Sequence, residues 1–255
     1  MVIHYTLLVF SHEGPARSPR LNAILAGYLA GVAGFVNSTS FILIGLYTSH
    51  VTGSVGRFAH DLALHDHAAA GFAACMVLSF FGGAFFASFV LEASPFIKVS
   101  RAYGIVLFCQ GVLQALFLAW VASSPSAGVR MLDSQAWLLC FTMGMQNSLV
   151  TRLSGAVVRT THLTGVITDL GIEAARWLAW KRSQWKLVPI LFTPRRPANR
   201  PDPIKVTLLL AISSSFITGS VLGAVLCLKI HVTAMVFPTT AIFLASGYAF
   251  WDPER

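Results

Sequence analysis

The chain has 255 residues, of which 55% are hydrophobic and 11% are charged, whereas about 25% of the residues of an average soluble domain are charged. Its mean hydropathy is +0.69, so the composition excludes an ordinary soluble domain and predicts an integral membrane protein whose first partner is the lipid bilayer. The net charge of +8 does not indicate a nucleic-acid partner, because the basic residues are densest between two apolar stretches, where cytoplasmic loops accumulate lysine and arginine.

In the first half of the chain, apolar segments of bilayer-spanning length alternate with polar ones. Residues 1–20 are predicted to be a cytoplasmic tail. Spans are predicted at 21–46, 68–91 and 102–122, since a transmembrane helix needs about 20 mostly apolar residues. A shorter amphipathic helix, at about 50–64, separates the first two spans and has one polar face.

The second half of the chain repeats this order of elements. Spans are predicted at 136–150, 206–228 and 232–251, and a second short amphipathic helix, at about 162–177, follows the first of them. The proline-rich, basic loop at 178–205 is the main insertion of this half and is assigned to the cytoplasm. Residues 21–255 are therefore expected to form a single, all-α transmembrane domain.

Three motifs occur twice in the same order, which predicts an internal duplication with repeat one at 21–122 and repeat two at 136–251. Each motif stands on the corresponding hydrophobic element of its half, and three such matches in register are hard to ascribe to chance. The pairs are Gly34-x-x-Asn37-Ser38 with Gly144-x-x-Asn147-Ser148, Ser49-His-Val-Thr-Gly53 with Thr161-His-Leu-Thr-Gly165, and Phe80-x-x-Gly83-x-x-x-Ala87 with Phe216-x-x-Gly219-x-x-x-Gly223.

The topology depends on whether the two short helices, here called the Thr-Gly helices, cross the bilayer. At about 15 residues each they are short for a span. If they are partial helices, each half has three spans and the second half is inverted relative to the first. This six-span arrangement keeps Lys98, Arg101, Arg152 and Arg159 inside, as the positive-inside rule favours, whereas eight spans would move them outside.

The starts of the Thr-Gly helices are the predicted substrate site. Ser49 and Thr161 have the side chains of N-caps, and a helix start presents free N–H groups and a partial positive charge. Transporters with inverted repeats aim such starts at anionic groups near the membrane midplane. The alternative is that these residues are only tight packing points between helices. The predicted site comprises Asn37, His50, Thr52, Gly53, Asn147, His162, Thr164 and Gly165.

A charge pair between the halves is a second hypothesis. Arg57 and Asp169 occupy equivalent positions of the two Thr-Gly helices, and a membrane-embedded arginine needs a partner. Asp169 or Glu173 would supply one across the repeat axis. One alternative is that each charged side chain lies at the membrane interface and extends to water. Another is a local partner for Arg57 within the same helix, either Asp61 or His60.

The sequence gives no indication of an enzyme, a cofactor or a metal. The Gly-x-Ser-x-Gly, P-loop and HExxH signatures are missing from it, so no catalytic residues are assigned. Metal ligands must converge in a defined geometry. The one histidine-rich stretch is therefore interpreted as a solvated loop; it comprises His60, Asp61, His65, Asp66 and His67.

A family resemblance rests on four stretches: Gly27 to Asn37, Ser49-His-Val-Thr-Gly53, Gly144-Met-Gln-Asn147 and Thr161-His-Leu-Thr-Gly165. Through these stretches the chain resembles the YoaK-like family of bacterial multi-pass membrane proteins, a domain of unknown function. The resemblance covers about 26–248 and implies a location in the bacterial inner membrane. We expect a secondary transporter or exporter of a small metabolite, with an anionic one favoured by the helix starts. The alternative is a non-transporting scaffold or regulatory membrane protein, and the oligomeric state is left open.

Overall fold

The computed structural model describes residues 19–92, 96–123, 129–153, 163–184 and 200–251. None of these residues lies in a β-strand, so the all-α prediction is confirmed. A 3-10 helix, His231–Met235, precedes the last α-helix. In chain order the α-helices are α1 Pro19–Ile44, α2 Val51–Ala63, α3 His67–Glu92, α4 Val99–Ser123, α5 Val129–Leu153, α6 Leu163–Gln184, α7 Pro203–Ile230 and α8 Val236–Phe250.

Four stretches of the described chain are long and apolar enough to cross a membrane. They are Ala23–Ile44, His67–Glu92, Val99–Ser123 and the 48 residues of Pro203–Phe250, which contain two of the predicted spans, those at 206–228 and 232–251. The predicted span at 136–150 lies within α5. α5 is less apolar, because its ends and its middle carry charged and amide side chains.

The bundle is built from pairs of helices that come from different halves of the chain. α1 packs on α7, α3 packs on α5, and α4 packs on α8, while α5 also contacts α1 and α4. The fully buried side chains include Leu29, Tyr103, Leu107, Leu139 and Met143. The core therefore lies where α1, α4 and α5 meet. The Thr-Gly helices pack at its edge, α2 against α3 and α6 against α7, and Val166 of α6 belongs to the buried core.

Glycines bring two of these helix pairs into backbone contact. A Cβ atom on Gly34 would lie 2.2 Å from the carbonyl oxygen of Phe216, and one on Gly144 would lie 2.0 Å from that of Phe80. Small residues allow helices to approach this closely in lipid. The motif glycines of each half thus contact the motif phenylalanine of the other half.

The same two pairs consist of parallel helices. Along α1 and α7, contacts advance together from Gly27 with Ser215 to Thr39 with Cys227. Along α3 and α5 they advance from the ring contact of Phe72 with Trp137 to the ion pair of Glu92 with Arg152, a separation of 2.5 Å between Oε1 and Nη1. Each pair therefore combines one helix from the first half with a parallel helix from the second.

Candidate functional site

The chain reverses after α1, and a side chain of α1 holds the reversal. The Oδ1 atom of Asn37 accepts hydrogen bonds from the backbone N–H and the hydroxyl of Ser49, at 3.3 and 3.0 Å. The Ser40 hydroxyl lies 3.1 Å from the carbonyl oxygen of Leu46, and Gly45 has a φ of +73°, which glycine adopts without steric cost. α2 therefore begins beside the last turns of α1, and Asn37 links the two segments. Its contact with a substrate stays a prediction.

The predicted N-cap of α2 is wrong by one residue. His50 stands at the N-cap and makes no side-chain capping bond. Ser49 cannot serve, because it precedes that position and its hydroxyl donates to Asn37. The backbone N–H of Ser54 donates to the carbonyl oxygen of His50 at 3.1 Å, as the first bond of the helix.

The imidazole of His50 lies over the first turn of α2 and explains the glycine of the motif. A Cβ atom on Gly53 would lie 2.4 Å from Nδ1 and 2.8 Å from Cε1 of His50. Real Cβ atoms do not approach ring atoms so closely, so the ring and a larger residue cannot share this space. The spacing His-x-x-Gly therefore lets the ring fold back on the helix start.

The second copy of the motif is described only in part. Thr161 and His162 lie outside the described residues, while Thr164 and Gly165 form the first turn of α6. Thr164 is exposed, as is Thr52 at the start of α2, and Asn147 is half-buried on α5. α2 packs on α3 and α6 packs on α7. The two Thr-Gly helices thus pack against different helices of the bundle.

The charged residues of the Thr-Gly helices have partners close to hand. Arg57 Nε lies 3.3 Å from Asp61 Oδ2, one turn along α2. On α6, Glu173 Oε1 lies 2.6 Å from Arg176 Nη1, and Lys205 of α7 lies 3.2 Å from Asp169. The cross-half pair of Arg57 is not among the ion pairs of the described residues, because both sides have local partners.

The histidine-rich stretch covers the last turn of α2, the connection to α3 and the first residue of α3. Asp66 Oδ1 accepts from the backbone N–H of Ala69 at 3.0 Å and so supports the first turn of α3. His65 adopts a φ of 60° at the turn. In the chain as described, no group of three or more histidines, cysteines, aspartates or glutamates is arranged to hold a metal ion.

A row of buried glutamines crosses the centre of the bundle, and the sequence analysis did not single it out. Gln110 Nε2 donates to Gln146 Oε1 at 2.8 Å, and Gln146 Nε2 donates to the carbonyl oxygen of Leu29 at 2.7 Å. Gln114, one turn along α4, is also fully buried. Its amide atoms have no hydrogen-bond partner among the described residues. Glutamines inside apolar spans were the available signal, since such residues face protein rather than lipid.

A groove of about 460 Å³ lies between α1, α7 and α8. Ser214 and Thr218 of α7 face Gly31 and Tyr28 of α1 across it, and Phe237 of α8 forms one wall. Gly31 and Thr218 stand near the middle of their helices. None of the predicted Thr-Gly residues is among the residues that line this groove. No motif of the sequence indicated this groove.

Long apolar helices, glycine-mediated packing and a groove among them define a helical membrane protein. The chain belongs to the family described as "Protein of unknown function (DUF1275)", whose pattern matches residues 25–248. The resemblance to a domain of unknown function is thereby confirmed. No curated protein and no solved structure matches the chain.

Proposed function

We propose that the protein is a secondary transporter or exporter of a small metabolite, built from two inverted repeats in the bacterial inner membrane with its amino terminus in the cytoplasm. The observation that carries the proposal is the exchanged packing of the halves, in which α1 pairs with α7 and α3 pairs with α5. Secondary transporters are commonly built from inverted repeats that meet at such a seam and move against each other.

The glycine contacts support a duplication in the register of the motifs. Gly34 of the first half contacts Phe216, and its counterpart Gly144 contacts Phe80, the counterpart of Phe216. Residues 31–40 and 141–150 also have the same succession of buried and half-buried positions. Two unrelated segments would have no reason to share both the contacts and the burial pattern.

The helix directions support inversion. Tyr28 contacts Ala241 and Phe35 contacts Phe237, so α1 and α8 are antiparallel. Gly104 contacts Phe250 and Gly111 contacts Phe243, so α4 is antiparallel to α8 as well.

α3 and α4 contact each other and are joined by the six residues 93–98. Six residues span at most about 20 Å, too little to return the chain along a helix of 25 residues, so we infer that α3 and α4 run in opposite directions. Because α5 is parallel to α3 and α7 is parallel to α1, each span of the first half would then be opposite in direction to its counterpart in the second half: α1 to α5, α3 to α7, and α4 to α8.

The proposed anion contact is at the starts of α2 and α6. Thr52 and Thr164 are exposed in the first turn of their helices, where free N–H groups and the helix dipole attract negative charge. The test compares intracellular and extracellular metabolites of cells that express the wild type, a Thr52→Val/Thr164→Val variant, or no protein. A redistributed anion is then measured as flux into proteoliposomes.

We expect flux with the wild type and a loss of at least about tenfold in the double variant. Thr168→Val is the matched control, because the Thr168 hydroxyl donates to the carbonyl oxygen of Thr164 at 2.9 Å within α6 and does not belong to the helix start. No redistributed metabolite would contradict transport. Unchanged flux in a folded double variant would contradict the anion contact alone.

A scaffold is the second candidate, and an exposed aromatic stripe on α3 favours it. Phe81, Phe85 and Phe89 are stacked one turn apart with centroids 6.4 and 6.2 Å from each other, and each side chain is more than half exposed. Such a stripe fits a partner helix as well as lipid. Crosslinking of Phe85→Cys to another protein, without any metabolite flux, would favour the scaffold.

A further inference from the structure

We infer that the groove between α1, α7 and α8 is a binding site for an uncharged amphiphile that carries a hydroxyl group and enters from the bilayer. This site is separate from the starts of the Thr-Gly helices and does not depend on transport. Its volume of about 460 Å³ falls within the range of about 300–1,000 Å³ that is typical of small-molecule sites.

The corresponding space in the other helix pair is filled. Gly31 and Phe141 are equivalent positions of the two motifs, because each stands three residues before the motif glycine, Gly34 or Gly144. Gly82 and Thr218 are likewise equivalent, because each stands two residues after the motif phenylalanine, Phe80 or Phe216. The Phe141 ring lies 3.5 Å from a Cβ atom built on Gly82. α3 and α5 thus pack a phenylalanine over a glycine, where α1 and α7 leave an opening beside a threonine. The groove is therefore a feature of one pair and not a consequence of the packing pattern.

The lining selects against charge. Its residues include no aspartate, glutamate, lysine, arginine or histidine. A charged group at the centre of a bilayer is costly unless it has an ionic or polar partner. A ligand seated at the middle of α1 and α7 without an ionic partner must therefore be neutral there.

The polar groups of the groove favour a ligand that donates a hydrogen bond. The Tyr28 hydroxyl donates to the carbonyl oxygen of Ala241, and the Ser214 hydroxyl donates to that of Leu210 at 2.6 Å. A hydroxyl has one hydrogen and two lone pairs, so both oxygens retain the capacity to accept. A ligand hydroxyl matches this arrangement, whereas an ether of the same shape does not.

The groove opens toward the surface that the bilayer covers. Tyr28, Leu222 and Phe237 line it and are 40%, 51% and 53% exposed. Tyr28 and Leu222 lie inside α1 and α7, and Phe237, in the first turn of α8, contacts Phe35, nine residues before the end of α1. A ligand therefore reaches these residues through the hydrocarbon. The apolar walls would then hold the hydrophobic part of the amphiphile, beside the hydroxyls of α7.

The test uses three photoreactive probes on the full-length protein in lipid nanodiscs: a long-chain alkanol that carries a diazirine, its methyl ether, and the corresponding carboxylate. Labelled peptides are identified by mass spectrometry. We expect the alkanol to label peptides of α1, α7 and α8 around the groove. Labelling by the alkanol should exceed labelling by the ether about fivefold, which is the difference that one hydrogen bond makes, and should exceed labelling by the carboxylate by more.

A plugged variant makes the test specific. Gly31→Phe with Thr218→Gly copies the filled arrangement of α3 and α5, so the chain already contains a folded precedent for it. Labelling at the groove should fall at least about tenfold. The matched control is Gly247→Phe, because Gly247 of α8 is exposed and has no neighbour within 4 Å of an added Cβ atom.

Equal labelling of the plugged variant and the wild type would overturn the site, as would labelling spread evenly over the lipid-facing peptides. Equal labelling by the alkanol and the ether would overturn the hydroxyl preference. Thermal unfolding of each variant verifies that it is folded. A positive labelling result without metabolite flux would leave the groove assigned and the transporter rejected. Flux without labelling would support the transporter and reject the groove as a binding site.

Discussion

The contact between His50 and Gly53 determines the shape of the first turn of α2, and it can be tested by substitution. Gly53→Ala places a methyl group 2.4 Å from Nδ1 of the imidazole, so the ring must leave the helix start. We expect a loss of about 1–3 kcal/mol in the free energy of unfolding, as for other overpacked sites. Thermal and denaturant unfolding of the purified protein measures it.

Gly56→Ala is the matched control for this substitution, because no atom lies within 4 Å of an added Cβ atom there. It should be neutral or stabilising by up to about 1 kcal/mol, the helix preference of alanine over glycine. In a His50→Ala background, Gly53→Ala should behave like Gly56→Ala. If Gly53→Ala remains equally destabilising without the ring, then the ring does not cause the glycine requirement.

Residues that contact distant partners were the ones that sequence reasoning assigned incompletely. Asn37 was assigned to the substrate site, which stays a prediction; in the structure its side chain accepts hydrogen bonds from Ser49. Ser49 has the side chain of an N-cap, but its hydroxyl is engaged by Asn37, twelve positions earlier. Local patterns describe a residue's neighbours in sequence, and they could not show that α1 would supply the competing acceptor.

At the scale of the helix, the packing of α3 on α5 depends on one of two adjacent glycines. A Cβ atom on Gly83 would lie 1.9 Å from the carbonyl oxygen of Phe141, whereas one on Gly82 would lie 3.5 Å from the ring of the same residue. Gly83→Ala must therefore push the helices apart, and we expect it to cost about 1–3 kcal/mol or more. Gly82→Ala requires no such shift.

The adjacent substitutions share their helix, depth and chemistry, which makes Gly82→Ala a matched control for Gly83→Ala. Unfolding in detergent gives the two stabilities. Disulfide trapping between Ser88→Cys and Ser148→Cys, whose hydroxyl oxygens lie 2.7 Å apart, reports the separation of α3 and α5. Equal stability and equal trapping of the two alanine variants would show that the backbone contact is dispensable.

The end of the first Thr-Gly helix could be predicted closely from the sequence, and the end of the second could not. α2 ends at Ala63, close to the predicted end of the first Thr-Gly helix. α6 continues to Gln184, beyond the predicted end at 177. The Lys181 amine lies 4.6 Å from the centroid of the Trp177 ring, and basic side chains near a helix C-terminus are favourable. Such a helix does not need an apolar face to extend.

At the scale of the whole molecule, the sequence predicted close helix packing at the repeated glycines but not which helices would pack together. The repeated glycines indicated close packing, and they do contact other helices. Their partners are in the opposite half, Gly34 with Phe216 and Gly144 with Phe80. A pattern read within each half cannot show such an exchange, because either arrangement buries the same small residues. The groove escaped prediction for the same reason.

The number of spans can be determined from the side of the membrane on which His65 and Lys98 lie. With six spans and partial Thr-Gly helices, His65 lies outside and Lys98 inside. With eight spans both positions reverse. α2 has 13 residues, or about 20 Å of helix, against about 30 Å of hydrocarbon. Asn37 also holds its start beside the last turns of α1, which favours a helix that begins within the bilayer and returns to the same side.

The measurement uses a single cysteine introduced at His65 or at Lys98. The native cysteines all lie within helices and are first replaced by alanine; they are Cys75, Cys109, Cys140 and Cys227. A membrane-impermeant maleimide is added to intact cells and to permeabilised cells. We expect His65→Cys to react in intact cells and Lys98→Cys only after permeabilisation. Asp202→Cys and His231→Cys are controls, because both topologies put the first inside and the second outside. The reverse pattern at His65 and Lys98, with both controls correct, would mean that the Thr-Gly helices cross the membrane. Each half would then have an even number of spans, and the two halves would have the same orientation. That result would contradict the inverted-repeat proposal.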